Sequence, residues 1–194
     1  MAGLLKVAGV LLIDKPYQWT SFDVVGKLRW ALLYHFGVKN KIGHAGTLDP
    51  LATGLLILCY GAETKNIHLY QGAEKEYTGT FFLGATRPSF DRETEIDAHF
   101  PTQHITKEMV EAAAKQLTGT LQQTPPAYSA KWVNGKRAYE LARAGKEVKM
   151  KTSEVTVSEF EITRFELPWV DFRIVCSKGT YIRSVSNDMG VLLN

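Results

Sequence analysis

Apolar positions along this chain recur at two spacings, and the changes of spacing mark the elements. Residues 9–14 form a continuous apolar run ending in Asp14 and halted by Pro16, which reads as a buried strand. Thr20 or Ser21 then caps a helix, with Asp23 in its first turn and Val24, Val25, Leu28, Ala31 and Leu32 on one face. Residues 43–54 hold three glycines and a proline and read as a loop leading into a buried strand at 55–60; residues 77–83, rich in Thr and Phe, read as another strand. Thr106 caps a second helix with Met109, Val110, Ala113 and Leu117 inward and Gly119 past its end. Asn134-Gly135 predicts a hairpin turn after an extended stretch at 128–133, and residues 136–144 a short helix closed by Gly145. Val155 and Val157, then Phe160 and Ile162, alternate with a one-residue slip that predicts a bulge near Ser158. Val170, Phe172, Ile174 and Cys176 alternate cleanly, and Ile182, Val185, Met189 and Leu192 fall at helical spacing. Without a regular β-α-β rhythm, this mixture predicts an α+β fold on a mixed or antiparallel sheet flanked by helices.

Composition narrows the class. The chain has 194 residues, 45% hydrophobic and 22% charged, which predicts one globular domain able to bury a core without disulfides. Its two cysteines, Cys59 and Cys176, are far apart in apolar runs, as expected of reduced thiols in the cytoplasm. The N-terminus lacks the pattern of a signal peptide, and the longest uncharged apolar stretch, residues 50–62, is far short of the roughly 18 residues that span a membrane. A soluble, cytoplasmic protein with no membrane partner is expected.

Charge is unevenly placed. Between Lys131 and Thr152 lie seven basic residues and two acidic ones, a balance of +5, whereas the whole chain carries +3. Trp132 and Tyr139 stand among them. Cations beside aromatic rings suit a polyanion with stackable bases, while a solvated lysine-rich face accounts for the charge alone.

The expected chemistry excludes several classes. No P-loop, dinucleotide fingerprint or GxSxG elbow occurs, and the histidines show no metal-ligand spacing. The loop at 43–54 remains: Pro50 keeps Asp49 extended on a connection where a scaffold can hold it over a cleft. Two roles fit such an aspartate, a nucleophile or acid/base group, and an acceptor for backbone N–H groups in a turn.

Several segments resemble the TruB family of tRNA pseudouridine-55 synthases. Gly9-Val-Leu-Leu-Ile-Asp-Lys15-Pro16 with Thr20-Ser21 is similar to the family's N-terminal Lys-Pro motif. Gly43-His-Ala-Gly-Thr-Leu-Asp49-Pro-Leu-Ala-Thr-Gly54 is similar to its catalytic loop, and Cys176-Ser-Lys-Gly-Thr-Tyr-Ile-Arg183 to its arginine segment. Lys75-Glu-Tyr77 resembles the tyrosine motif, and 125–131 with Gly135-Lys136 the RNA-binding insertion, here about 124–152. The resemblance spans 9–190. Ala45 is as in bacterial stand-alone members, where guide-RNA-dependent relatives tend to have Ser. Where the family commonly has Thr-Asp-Thr-x-Asp, this chain has Arg87-Pro88-Ser89-Phe90-Asp91 and keeps only the final aspartate.

The resemblance implies isomerisation of a uridine in the T-loop of tRNA, with the base flipped out. Asp49 would be the nucleophile, at C1′ or at the uracil ring. Arg183 would be its ionic partner, and Tyr77 would stack on the base. His44 would fill the vacated space or contact RNA, unless loop backbone satisfies it, and Tyr77 could equally cap the core. Lys131, Arg137 and Arg143 would hold phosphates, and Lys15 and Pro16 would support the loop. No cofactor, metal or obligatory protein partner is expected. Residues 1–194 are expected to be a catalytic domain truncated at its C-terminal end, without any small RNA-binding domain. Two other readings are a non-catalytic RNA-binding module and a guide-RNA-dependent synthase.

Overall fold

A computed structural model describes residues 8–194 of the chain; the reading of residues 1–7 as free of a leader lies outside the described residues. Two compact units are present, the first ending at Ala73 and the second running Glu74–Asn194.

In the first unit, β1 (Gly9–Lys15) and α1 (Ser21–Phe36) precede β2 (Ile42–His44) and β3 (Gly54–Tyr60). A 3₁₀ turn at Gly61–Asn66 and the short α2 (Ile67–Gln71) follow. The three strands are antiparallel in the order β1-β3-β2, with Gly9 opposite Tyr60 and Lys15 opposite Gly54. The expected stripe of α1 packs Val24 and Val25 against Ile42, Leu56 and Leu58, with Leu11, Ile13, Leu28 and Leu32 partly buried around them. Each fully buried side chain such as Leu58 contributes about 1.5–3 kcal/mol by leaving water. Gly43 and His44, expected in the loop, instead form the end of β2, because β3 offers them a strand edge.

Thr20 begins α1 with a reciprocal cap. Its hydroxyl accepts from Asp23 N at 3.0 Å, and its own N–H and hydroxyl donate to Asp23 Oδ2 at 2.8 and 2.6 Å. Thr20→Ala is expected to cost about 1 kcal/mol, measurable as a drop in Tm of roughly 2–4 °C. The Thr20 hydrogen bonds hold the Asp23 carboxyl below its ordinary pKa. Its contribution is therefore full above the unfolded value and is lost as pH falls through the lowered folded value. The Tm gap between wild type and Asp23→Ala should close in acid.

The second unit contains β4 (Lys75–Phe82), the small pair β5 (Ala85–Thr86) and β6 (Ala98–His99), and α3 (Lys107–Gln116). Next come β7 (Gly119–Gln123), the hairpin β8 (Trp132–Val133) and β9 (Lys136–Arg137), and α4 (Ala138–Arg143). The long β10 (Ser153–Glu166), β11 (Trp169–Cys176) and α5 (Ile182–Leu192) complete it. The main sheet is antiparallel in the order β4-β11-β10-β7. The alternating residues of β11 are buried with Phe81, Val157, Val110 and Ala113 of α3, and Val185 and Met189 of α5. Gly79 leaves room on β4 for the ring of its cross-strand partner Phe172: an added Cβ would lie 2.8 Å from that ring, which stacks on Phe81 with centroids 4.1 Å apart.

The structure corrects several details. Met109 is exposed, Val110 taking the inward place beside it, and Leu192 is exposed while Leu193 is buried. Residues 127–130 are bends; only Trp132 and Val133 extend. Lys136 and Arg137 pair back across the Asn134-Gly135 turn, whose positive φ angles of 50° and 78° fit a hairpin, so the helix starts only at Ala138. The register of β10 against β11 shifts between Val157 and Glu159, as the slip near Ser158 predicts, and again between Ile162 and Arg164. Cys59 and Cys176 are buried thiols without a disulfide.

Candidate active site

The Asp49 loop is fixed in the first unit by its neighbours on both sides. Ala45 N donates to Ile57 O at 2.8 Å, extending the pairing of β2 with β3 by one residue. His44 Nδ1 lies 2.6 Å from Gly46 O, so loop backbone engages this ring nitrogen. Before Asp49, Ser21 holds Leu48 twice: its Oγ accepts from Leu48 N at 2.9 Å and donates to Leu48 O at 3.3 Å. After Asp49, Pro50 O accepts from Gln18 N at 2.9 Å and from Lys15 Nζ at 3.3 Å. Ala52 N closes the turn on Asp49 O at 3.0 Å.

Lys15 ends β1 and is fully buried. Its ammonium donates to Trp19 O at 2.5 Å and Pro16 O at 3.0 Å as well as to Pro50. Three carbonyls thus replace its water, and one cation ties the turn after β1 to the loop. Burial pushes its pKa down, and the Asp49 and Asp23 carboxylates oppose that shift. Pro16 lies in the turn that Lys15 holds. Ser21 and Gln18 carry no sequence signal for a part in the loop, although Thr20-Ser21 belongs to the segment that resembles the Lys-Pro motif.

In the second unit, Tyr77 lies opposite Ile174 and is half-buried against the apolar core. Arg183, on the first turn of α5, has Nη1 donating to Ser89 O at 3.2 Å and Tyr128 O at 2.9 Å, and Nε lies 3.6 Å from Asp91 Oδ2. The side chains of Arg183 and Asp91 are only 11% and 19% exposed, so their attraction is less screened than on an open surface. Asp91 is itself held, because Ser89 Oγ donates to Asp91 Oδ1 at 2.7 Å and Glu93 N donates to the same oxygen at 2.9 Å. The departing segment 87–91 therefore keeps a hydroxyl at Ser89 and a carboxylate at Asp91, and both serve the seat of Arg183. The sequence marks Asp91 only as the retained end of the departing segment and gives no sign of this role. Asp49, the expected partner of Arg183, belongs to the first unit.

The basic segment is partly engaged. Arg137 lies 4.4 Å over the exposed Trp132 ring and donates to Ala130 O. Lys131 Nζ is 3.4 Å from Ser153 Oγ. Arg143 lies 5.3 Å over Tyr139 and pairs with Glu93, which raises its pKa, so a phosphate at Arg143 would compete with a carboxylate. Among the described residues, no cluster of three or more His, Cys, Asp or Glu could hold a metal ion. No helix among them is long and apolar enough to cross a membrane.

The motifs can be compared with those of known proteins. The family model described as TruB family pseudouridylate synthase, N-terminal domain, matches residues 34–182. The chain is 55% identical over 187 residues to tRNA pseudouridine synthase B of Flavobacterium johnsoniae, covering 95% of this chain and 82% of that protein. It is 52% identical over 190 residues to the protein of the same name from Phocaeicola vulgatus, covering 97% and 81%. Among solved structures, a chain from a Cbf5-Nop10-Gar1 complex matches with a TM-score of 0.70 and 26% identity, over 96% of this chain and 44% of that one. An H/ACA RNP bound to a substrate RNA containing 2′-deoxyuridine supplies a second likeness in fold, with a TM-score of 0.66, 23% identity, and 96% and 43% coverage. This chain thus spans less than half the length of those two solved chains. With the family model matching most of its length and the bacterial relatives more than half identical, the chain belongs to the TruB family of pseudouridylate synthases.

Proposed function

We propose that this chain isomerises a uridine in the T-arm of tRNA to pseudouridine, with Asp49 as the nucleophile. The enzyme class is that of its family, an isomerase acting as a pseudouridylate synthase. The observation that supports the assignment to Asp49 is its seat: the residues on either side are pinned by Ser21, Gln18 and Lys15, so the backbone that carries the carboxylate is held in place. The reaction breaks the C1′–N1 bond, turns the uracil, joins C5 to C1′ and releases the C5 proton while N1 gains one. Atoms and electrons balance within the substrate and water, so no redox cofactor enters.

Arg183 is the ionic partner of Asp49, and Asp91 with the Ser89 and Tyr128 carbonyls orients its guanidinium. Tyr77 stacks on the flipped base, which must leave its helix at a cost of a few kcal/mol. His44 contacts the RNA beside the vacated position. Lys131, Arg137 and Arg143, in the insertion at about 124–152, hold T-arm phosphates, and the protein acts in the cytoplasm without an obligatory protein partner. Lys15 and Pro16 support the loop from beneath.

The test is tritium release from C5-labelled uridine in an unmodified T-arm RNA, with and without EDTA. Release of one tritium per RNA in both conditions is the expected result. RNA binding without release would favour the non-catalytic RNA-binding module.

A further inference from the structure

The outer face of α1 carries a feature that the chemistry at Asp49 does not use. A shallow groove of about 640 Å³ is lined by Gln18, Trp19, Phe22, Asp23, Gly26, Lys27 and Trp30. Phe22, Trp30 and Tyr34 are 64%, 51% and 70% exposed. Burying so much aromatic surface is normally favourable, so a contiguous exposed patch of it marks a contact surface.

Two observations identify the occupant. First, the cations stand on the rings: Lys27 Nζ lies 4.7 Å from the Trp30 ring centre and the Arg29 guanidinium 5.7 Å from that of Phe22. The one acid of the helix, Asp23, has a carboxylate oxygen committed to the Thr20 cap. Asp23 stays ionised and offsets one of these two cations, and Arg29 also donates to Ile42 O at 2.7 Å, so the face keeps a net charge of one positive unit beside its flat rings, which suits a phosphate strand with unstacked bases. Second, Gly26 is among the residues that line the groove. A Cβ there would meet nothing within 4 Å, so the fold makes no steric demand for glycine inside this helix, where glycine is unfavourable relative to alanine. A bare backbone between Trp19 and Trp30 allows a planar ring to approach the helix closely.

The groove also adjoins the loop. Gln18 and Trp19 line it, while Gln18 N and Trp19 O are the groups joined to Pro50 and Lys15 beside Asp49. We infer that the Gly26 groove of α1 is a second contact site for substrate RNA, seating an unstacked base and its phosphate from a strand running past the Asp49 loop. This rests on the tRNA reading above.

The test compares Gly26→Ala and Trp30→Ala with wild type by filter binding to an unmodified tRNA transcript at fixed salt, alongside thermal melting and light scattering. Gly26→Ala is expected to raise Tm by roughly 2–4 °C, and yet to weaken tRNA binding about fivefold. Trp30→Ala is expected to weaken binding about tenfold through loss of one stacking platform. Unchanged tRNA affinity in both variants, with wild type binding and releasing tritium, would overturn the groove assignment alone. Loss of self-association in the variants without loss of RNA affinity would overturn it in favour of a protein partner. Failure of wild type to bind tRNA would overturn the tRNA reading together with this one.

Discussion

Asp49→Asn is expected to reduce tritium release at least about a thousandfold, because an amide cannot act as the anionic nucleophile. Its shape is otherwise retained. Leu48 and Pro50 are held through Ser21, Gln18 and Lys15, and the turn bond from Ala52 goes to the Asp49 carbonyl rather than to its side chain. RNA affinity should therefore stay within about twofold, since phosphate contacts elsewhere supply most of the binding. Single-turnover tritium release with saturating enzyme separates the two quantities. Release by Asp49→Asn at more than a tenth of the wild-type rate would sink the nucleophile assignment.

Lys15→Met should produce a different pattern, loss of stability together with loss of rate. Methionine fills much the same volume but leaves the Pro16, Trp19 and Pro50 carbonyls without the ammonium donor. Hydrogen bonds from a charged donor contribute about 1.5–3 kcal/mol each when one partner is deleted, and relief from burying the ammonium offsets part of this. A net loss of about 2–3 kcal/mol follows, measurable as a Tm lower by roughly 4–10 °C. The rate should fall about a hundredfold, because a shift of about 1 Å at a reacting group costs that much. Unchanged melting with unchanged turnover would show that the three carbonyls find water and that the loop keeps its own shape.

The two variants also bear on what could be read from sequence. The loop motif pointed to Asp49, and local chemistry explains why: glycines, a proline and an acid within twelve residues leave a recognisable trace. The resemblance also gave Lys15 and Pro16 as support for the loop, but the manner of that support left little trace. That Lys15 would be fully buried under three carbonyls depends on a contact 35 residues away, and a lysine beside a proline otherwise reads as solvent-facing. The seat of Arg183 was less visible still, since its acceptors at Ser89, Asp91 and Tyr128 lie 55 or more residues before it.

The same division holds for the fold. β11 was legible because Val170, Phe172, Ile174 and Cys176 alternate against a core on one face. β7 was not, because Leu121 is the single large apolar residue in Gly119–Gln123. That strand exists through its pairing with Ser153–Val157 of β10. The start of α4 was misplaced for a related reason: Lys136 and Arg137 suit a helix by propensity, but the Asn134-Gly135 turn returns them to β8 first. Met109 and Leu192 satisfied helical spacing, yet they sit where no neighbouring element covers them, and periodicity alone does not say how wide a buried face is.

The two register shifts in β10 determine where this strand can change length. Val155 and Val157 face inward, then Phe160 and Ile162, then Phe165, so the inward set changes parity at Ser158 and returns to its first parity at Thr163. Each shift absorbs one surplus residue. Loss of Ser158 or of Thr163 would leave every remaining side chain on its present face, and the strand would merely straighten. Loss of one residue elsewhere in β10 would exchange its two faces on one side of the gap and turn Val155 or Phe160 toward water. Among relatives of this chain, single-residue gaps in this strand should collect at those two positions.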